Sequence, residues 1–223
     1  MDKDLSSVLV DFQEVKADKQ SRLIHAFIEL YSALFSYIEQ EANIREKVRA
    51  KALFSKQTEI TFESITKNKS VAPHFEHWFA FDYITIIGSR IFDLYLREQK
   101  HTLTKEMLEI SSFMLLMYLH PVKLISKNDK SLQYIDIFQG NKIDAETFLF
   151  ELRAEEGDII FLRCLQVGFQ KMIIGPSFII DKQWKEVVMN ELMTINDLEE
   201  GAIRKYLKEN GMKYYKYRKR AKL

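Results

Sequence analysis

Leu132-Gln133-Tyr134-Ile135-Asp136-Ile137-Phe138-Gln139-Gly140-Asn141 is the stretch at which the hydrophobic pattern of this chain changes period. Upstream, apolar residues recur every three to four positions. Here they crowd into a strand-like run that ends on Gly140-Asn141, a two-residue hairpin signal. The same grammar repeats downstream. Phe148-Leu149-Phe150-Glu151-Leu152 is the next run. Gly157-Asp158 then turns into Ile159-Ile160-Phe161-Leu162-Arg163-Cys164-Leu165, Gly168 into Met172-Ile173-Ile174, and Gly175-Pro176 into Phe178-Ile179-Ile180. Five short strands within about fifty residues, separated by turn residues, predict a small antiparallel sheet or partial barrel.

Before this stretch the chain reads as helix. Its first proline is Pro73 and its first glycine Gly88, so few breakers interrupt the N-terminal third. One long helix, or two with a bend, is expected from Ser21 to about Lys51. Its first half is apolar on nearly every face, through Leu23, Phe27, Leu30, Tyr31, Leu34, Phe35 and Ile38. A helix that is hydrophobic all round must be covered all round, either by the rest of the chain or by a second copy. The second option makes Phe27, Tyr31, Leu34, Phe35 and Ile38 a self-association surface and the protein a homodimer. Beyond Glu39 the pattern turns charged, and that end is expected to project into solvent. Phe54 to Val71, rich in Ser, Thr, Lys and Asn and without clear periodicity, reads as a loop or weak helix and as the most mobile segment.

His74 to Tyr83 and Ser89 to Gln99 read as short helices, and Thr104 as the N-cap of a third that Pro121 stops. Gln183 to Met193 returns to helix. Asn196 with Glu199 gives a capping-box pattern for a last helix, ended by Gly211. The fold class is therefore α+β: a helical region over 1–125, a small β-rich region over 126–181, C-terminal helices over 182–212 and a basic tail over 213–223.

Two stretches resemble a group of uncharacterised bacterial proteins, common in Firmicutes, that often carry a C-terminal SEC-C zinc motif. One is Glu76-His77-Trp78-Phe79-Ala80-Phe81-Asp82-Tyr83 through Gly88 to Tyr95-Leu96. The other is Ile135-Asp136-Ile137-Phe138-Gln139-Gly140 with Glu156-Gly157-Asp158-Ile159-Ile160-Phe161-Leu162-Arg163. Together they cover about residues 74–180. The resemblance implies a helical part followed by a small β part and supplies no activity. The cysteine-rich motif itself is absent here, so its zinc does not transfer.

Composition removes several classes of function. No apolar run reaches the roughly 18 residues that span a bilayer, so no membrane contact is expected. The first twenty residues are dotted with Asp, Glu and Lys and lack a secretory pattern, which places the chain in the cytoplasm. Cys164 is the only cysteine, which excludes an internal disulfide and a cysteine-rich zinc site. Buried in an apolar run, it reads as a small hydrophobe rather than a nucleophile. No glycine-rich phosphate loop is present.

His74 and His77 share a helical face, with Asp82 close by, and are the candidates for a metal site; the alternative is that they flank a core. Asp136, Glu151 and Arg153 loosely match the acidic constellation of metal-dependent nucleases, although Arg153 stands where a lysine is usual and Asp136 has a turn-capping explanation. The charge distribution is more informative. Residues 71–200 hold 13 Lys/Arg against 20 Asp/Glu, whereas 201–223 hold 9 against 1. In the tail, Lys213, Lys216, Arg218, Lys219 and Arg220 can neutralise phosphates, and Tyr214, Tyr215 and Tyr217 can stack on bases. The same tail can instead pair with its own acidic body.

The expected function is a non-enzymatic intracellular interaction protein, self-associating through helix 23–38. A nucleic-acid-binding accessory protein using residues 213–220 is the alternative, and a metal-dependent enzyme the third. No catalytic residue and no cofactor is assigned. The partners expected are a second copy, another protein, or nucleic acid.

Overall fold

The computed structural model describes residues 2–150 and 152–220, with side chains from Phe12 onward. Six helices come first: α1 (Asp2–Gln40), α2 (Ile44–Thr58), α3 (Phe62–Lys67), α4 (Ala72–Phe81), α5 (Ile91–Glu98) and α6 (Lys105–Leu116). Seven strands follow: β1 (His120–Lys127), β2 (Ser131–Asp136), β3 (Lys142–Phe148), β4 (Ile159–Leu162), β5 (Cys164–Val167), β6 (Gln170–Ile174) and β7 (Phe178–Ile179). A 3-10 turn (Lys182–Trp184), α7 (Lys185–Met193), α8 (Glu200–Asn210) and a 3-10 helix (Gly211–Tyr217) close the chain. The architecture is α+β. No helix among the described residues is long and apolar enough to cross a membrane.

The strands form one curled sheet in the order β5-β6-β3-β2-β1-β4-β7. It is mixed rather than purely antiparallel, because β3 pairs parallel to β6 through Glu146–Met172 and Phe148–Ile174. The β2–β3 hairpin falls where Gly140-Asn141 signals it, with Gly140 at φ +69°. Strand β4 is buried on both faces. Its Ile159 and Phe161 join the large core shared with the helices. Ile160 and Leu162 join a second core inside the curl, with Val122, Leu124, Leu132 and Tyr134. A period of two splits these four residues between the two cores.

Several boundaries differ from the sequence reading for identifiable reasons. Of the two readings of 21–51, the pair of helices is the one observed, broken at residues 41–43 and extending beyond both expected ends, with Asn43 capping the second by accepting from Arg45 N. The charged end after Glu39 does not project freely, because Ala50, Phe54 and Thr58 of α2 are buried. Phe54 to Val71 is helical for much of its length and anchored by Phe54 and Ile65, both at most 1% exposed. Thr104 caps α6 as expected, accepting from Met107 N. That helix ends at Leu116, however, and Pro121 lies in β1, ahead of the expected boundary at 125. Pro121 pairs only with Phe161 of β4, since pairing to β2 begins at Val122. A proline without a ladder donor is tolerated at the start of a strand with one neighbour. The expected strand 148–152 stops at Phe148, because Leu149 turns to φ +67°. The run 159–165 is two strands, interrupted at Arg163. Asn196 and Glu199 form no capping box: α8 starts at Glu200, and Glu199, its N-cap, makes no side-chain cap bond.

The chain itself covers the apolar side of α1. Phe27 and Leu34 are fully buried and Ile38 nearly so. Tyr31 and Phe35 are partly buried and packed on the same core, with Phe27 and Tyr31 meeting Phe148 edge-on at ring centroids of 5.2 and 6.4 Å. Phe148 of β3 and His77 and Phe81 of α4 thus cover part of this face within the chain. Gln20 ties α1 to the β5–β6 hairpin, donating to Val167 O (3.0 Å) and accepting from Phe169 N (2.7 Å).

Candidate functional site

Three segments far apart in the sequence converge on one open cleft of about 250 Å³. The end of α2 contributes Thr58 and Glu59, the start of α3 contributes Thr61 and Ser64 followed by Asn68, and the C-terminal segment contributes Lys216, Arg218 and Arg220.

The position of the C-terminal segment follows from its tyrosines. Met212, Tyr214 and Tyr215 are buried. Tyr214 stacks on Phe161 (5.0 Å between centroids), and Tyr215 packs on His74 (4.5 Å) and edge-on to Phe178 (5.1 Å). The segment then runs beside β7. Asp181 N donates to Tyr217 O (2.9 Å) and Lys219 N to Ile179 O (2.7 Å), with Ile180 and Arg218 bridged. Once the backbone is extended, residues two apart share a face, which puts Arg218 and Arg220 together on the cleft side.

The cleft is polar and positive. Lys216 Nζ lies 3.0 Å from Glu59 Oε1, a bond that holds its ammonium above the ordinary lysine range. Glu59 can reach it because, as the C-cap of α2, it sits at φ +57°. Arg218 lies 4.2 Å over the Tyr215 ring and donates to Tyr215 O at 3.1 Å. Burial draws its guanidinium below the usual arginine range, and a guanidinium remains charged regardless. Around the cleft, Lys56, Lys67 and Lys69 are exposed on α2, α3 and the turn that follows. Against them stand Glu59 and Glu63, the latter 2.8 Å from Lys67.

The remaining tail residues go elsewhere. Lys213 pairs with Glu191 (3.1 Å) and Lys219 with Glu155 (3.7 Å), so part of the tail does meet the acidic body. Tyr214 and Tyr215 present no free ring face for a base, and Tyr217 packs on Trp184 at 5.3 Å. Ala221 and Lys222 lie outside the described residues. The segment is part of the core rather than an appendage. Truncation after Met212 removes two buried aromatic side chains, each worth about 3–5 kcal/mol in a core, and is expected to unfold the protein. Circular dichroism of the truncated chain checks this.

The two histidines of α4 are committed to packing. The neutral His77 ring donates from Nδ1 to Pro73 O (2.8 Å) and accepts at Nε2 from the Tyr31 hydroxyl (2.5 Å). Its ring also lies against Gly175, where an added Cβ would fall 2.4 Å from the imidazole. His74 sits between Tyr215 and Phe178. Burial lowers both to about 3. Asp82 turns away from them to bind Arg163, and among the described residues no group of three or more His, Cys, Asp or Glu could hold a metal ion. The structure thus separates the residues of the proposed metal site.

Asp136 serves its own turn, accepting from Phe138 N (2.8 Å) and Gln139 N (3.0 Å). Arg153 lies after β3 and not on a strand, while Glu151 lies outside the described residues. Burial pushes the Cys164 thiol up, keeping it protonated. The sequence reading missed Thr58, Glu59, Thr61, Ser64 and Asn68. The signal was the Ser/Thr/Asn/Lys composition of 54–71, which read as mobility. No protein-family model, no curated protein and no solved structure matches this chain.

Proposed function

We propose that this is a non-enzymatic interaction protein whose partner is nucleic acid, held by its phosphate backbone in the cleft between α2, α3 and the C-terminal segment. The convergence of Lys216, Arg218 and Arg220 on one polar cleft carries this reading. The three cations neutralise phosphates, while the hydroxyls of Thr61 and Ser64 and the Asn68 amide offer hydrogen bonds to phosphate oxygens. Among the described residues that line the cleft none is aromatic, so binding is expected to be independent of sequence and driven by charge.

Fluorescence anisotropy of a labelled oligonucleotide tests this. Intact protein is expected to bind DNA or RNA at about 50 mM salt. The combined variant Lys216→Gln, Arg218→Gln, Arg220→Gln keeps side-chain bulk and should bind at least about tenfold more weakly with little change in melting temperature. Absence of binding by intact protein at that salt removes the proposal. So does undiminished binding by the variant.

A further inference from the structure

Helix α1 outruns the body that covers it. From Leu23 onward its apolar line is packed away, with Leu23, Phe27, Leu30 and Leu34 each at most 1% exposed. The covering ends at the half-buried Gln20, which is bound to the β5–β6 hairpin. Every residue from Phe12 to Lys19 is exposed. Phe12 precedes Leu23 and Val15 precedes Ala26 by eleven positions, about three turns of helix. Both therefore lie on the line that the body covers further down. Yet Phe12 is 63% exposed and Val15 61%, against 1% for Leu23 and 7% for Ala26. At the edge of the body, Phe169 of the hairpin tip is also exposed, with the Lys16 and Lys19 ammonium groups 5.0 and 5.9 Å from its ring centroid. In the sequence the same line continues through Val8 and Leu5 at spacings of four and three, the a and d positions of a heptad. Helices in proteins draw most of their stability from packing such a face.

We infer that residues 2–19 of α1 are a self-association surface, pairing antiparallel with the same segment of a second copy. This interface lies upstream of the one expected at 23–38. Three observations select the second copy. The apolar positions 5, 8, 12 and 15 are spaced symmetrically about position 10. An antiparallel two-fold pair therefore sets position 5 against 15 and position 8 against 12 of the other copy. The uncovered length also matches itself: residues 2–19 span about 27 Å, which an identical segment fills. Orientation follows from the body. Below Gln20 the apolar line is occupied by the chain's own packing, so a parallel copy would drive its body into that space, whereas antiparallel copies hold their bodies at opposite ends. The segment carries five Asp/Glu against three Lys, which disfavours a phosphate-bearing partner. Across the pair, Asp2 meets Lys16 on one flank, while Asp4 meets Asp18 and Asp11 meets its own copy on the other. These charges oppose one another, and the apolar line drives association. The inference is independent of the nucleic-acid proposal, because it shares no residue with that cleft.

Sedimentation equilibrium of the full chain, over about 5–200 µM, tests this. The mass is expected to rise from 26.4 kDa toward twice that value, with a dissociation constant on the order of 10–100 µM. The variant Phe12→Asp with Val15→Asp should associate at least about tenfold more weakly. Its melting temperature should stay that of the parent, because neither side chain is covered in a single copy. Orientation is read by mild oxidation of Val8→Cys and Phe12→Cys chains, alone and mixed. The antiparallel pair brings position 8 beside 12, so the mixture should give the mixed disulfide in preference to either self-disulfide. Burial keeps the Cys164 thiol protonated and out of this reaction. Three results overturn the inference: the single-chain mass at every concentration, association unchanged in the Phe12→Asp, Val15→Asp variant, or self-disulfides in place of the mixed one.

Discussion

Lowering the pH from 7 to 4.5 is expected to remove about 4–6 kcal/mol of folding stability, with His74 and His77 as the cause. Both are buried, and burial lowers each from the ordinary 6.5 to about 3 in the folded chain. The unfolded chain therefore binds protons between about pH 6.5 and 3 that the folded chain refuses, and stability falls with pH across that window. At pH 4.5 each ring lies about two pH units below its unfolded pKa, worth about 2.7 kcal/mol per ring. Asp136 has the same sign but a lower range. Burial pushes its carboxyl up, but His120 and the two turn N–H groups bring it net below its ordinary value of 3.8, so its contribution is lost only on further acidification, below about pH 4.5. Asp82, pushed up by burial, titrates with the opposite sign and offsets part of the loss. Urea unfolding at pH 7.0, 5.5 and 4.5 reads the total, and His77→Gln should flatten the slope. A stability constant to within about 1 kcal/mol over that range contradicts the burial of both rings.

The second large effect concerns Arg163 and Asp82, each 2% exposed at the side chain and paired through two contacts of 3.3 and 2.5 Å. Asp82 is the C-cap of α4, and Arg163 interrupts β4–β5, so this pair joins the helical layer to the sheet. Asp82→Ala leaves a guanidinium buried without a counter-charge, which costs about 3–5 kcal/mol. The double change Asp82→Leu with Arg163→Met removes both charges at similar volume and should recover most of that loss, since apolar replacement of a buried pair is often neutral. Thermal and urea melts of the single and double variants separate the two outcomes. A single variant within about 1 kcal/mol of the parent means the pair is not desolvated as described.

These contacts also mark how far the sequence could be read. Local features were legible because their physics is local: the Gly140-Asn141 turn, the Thr104 cap and the aromatic helix at 74–83 all appear where the residues put them. The burial of α2 was not legible, because the surfaces that cover it come from Phe75 and Trp78 of α4, each 5.5 Å from the Phe54 ring, and from residues 211–217, and no property of Ala50 or Phe54 points there. The Arg163–Asp82 pair spans 81 positions, and an arginine inside an apolar run reads as an exposed edge until its partner is placed. The cleft was half legible. Its cations stood out as a basic tail, but the polar stretch 54–71 looked mobile because its few anchoring apolar residues, Phe54 and Ile65, are widely spaced. The tyrosines between the cations, read as a stacking surface, prove to be what fastens the cations in place.

The central claim is that Lys216, Arg218 and Arg220 act together on a phosphate backbone, and the salt dependence of binding tests it most directly. Each phosphate neutralised on a single strand contributes about −0.7 to the slope of log affinity against log salt, and about −0.9 on a duplex. Two to three contacts therefore predict a slope of about −1.5 to −2.5 for intact protein. In the Lys216→Gln, Arg218→Gln, Arg220→Gln variant the slope should approach zero in a chain that melts as the parent does. A slope near zero for intact protein, or one that the three substitutions leave unchanged, contradicts the account.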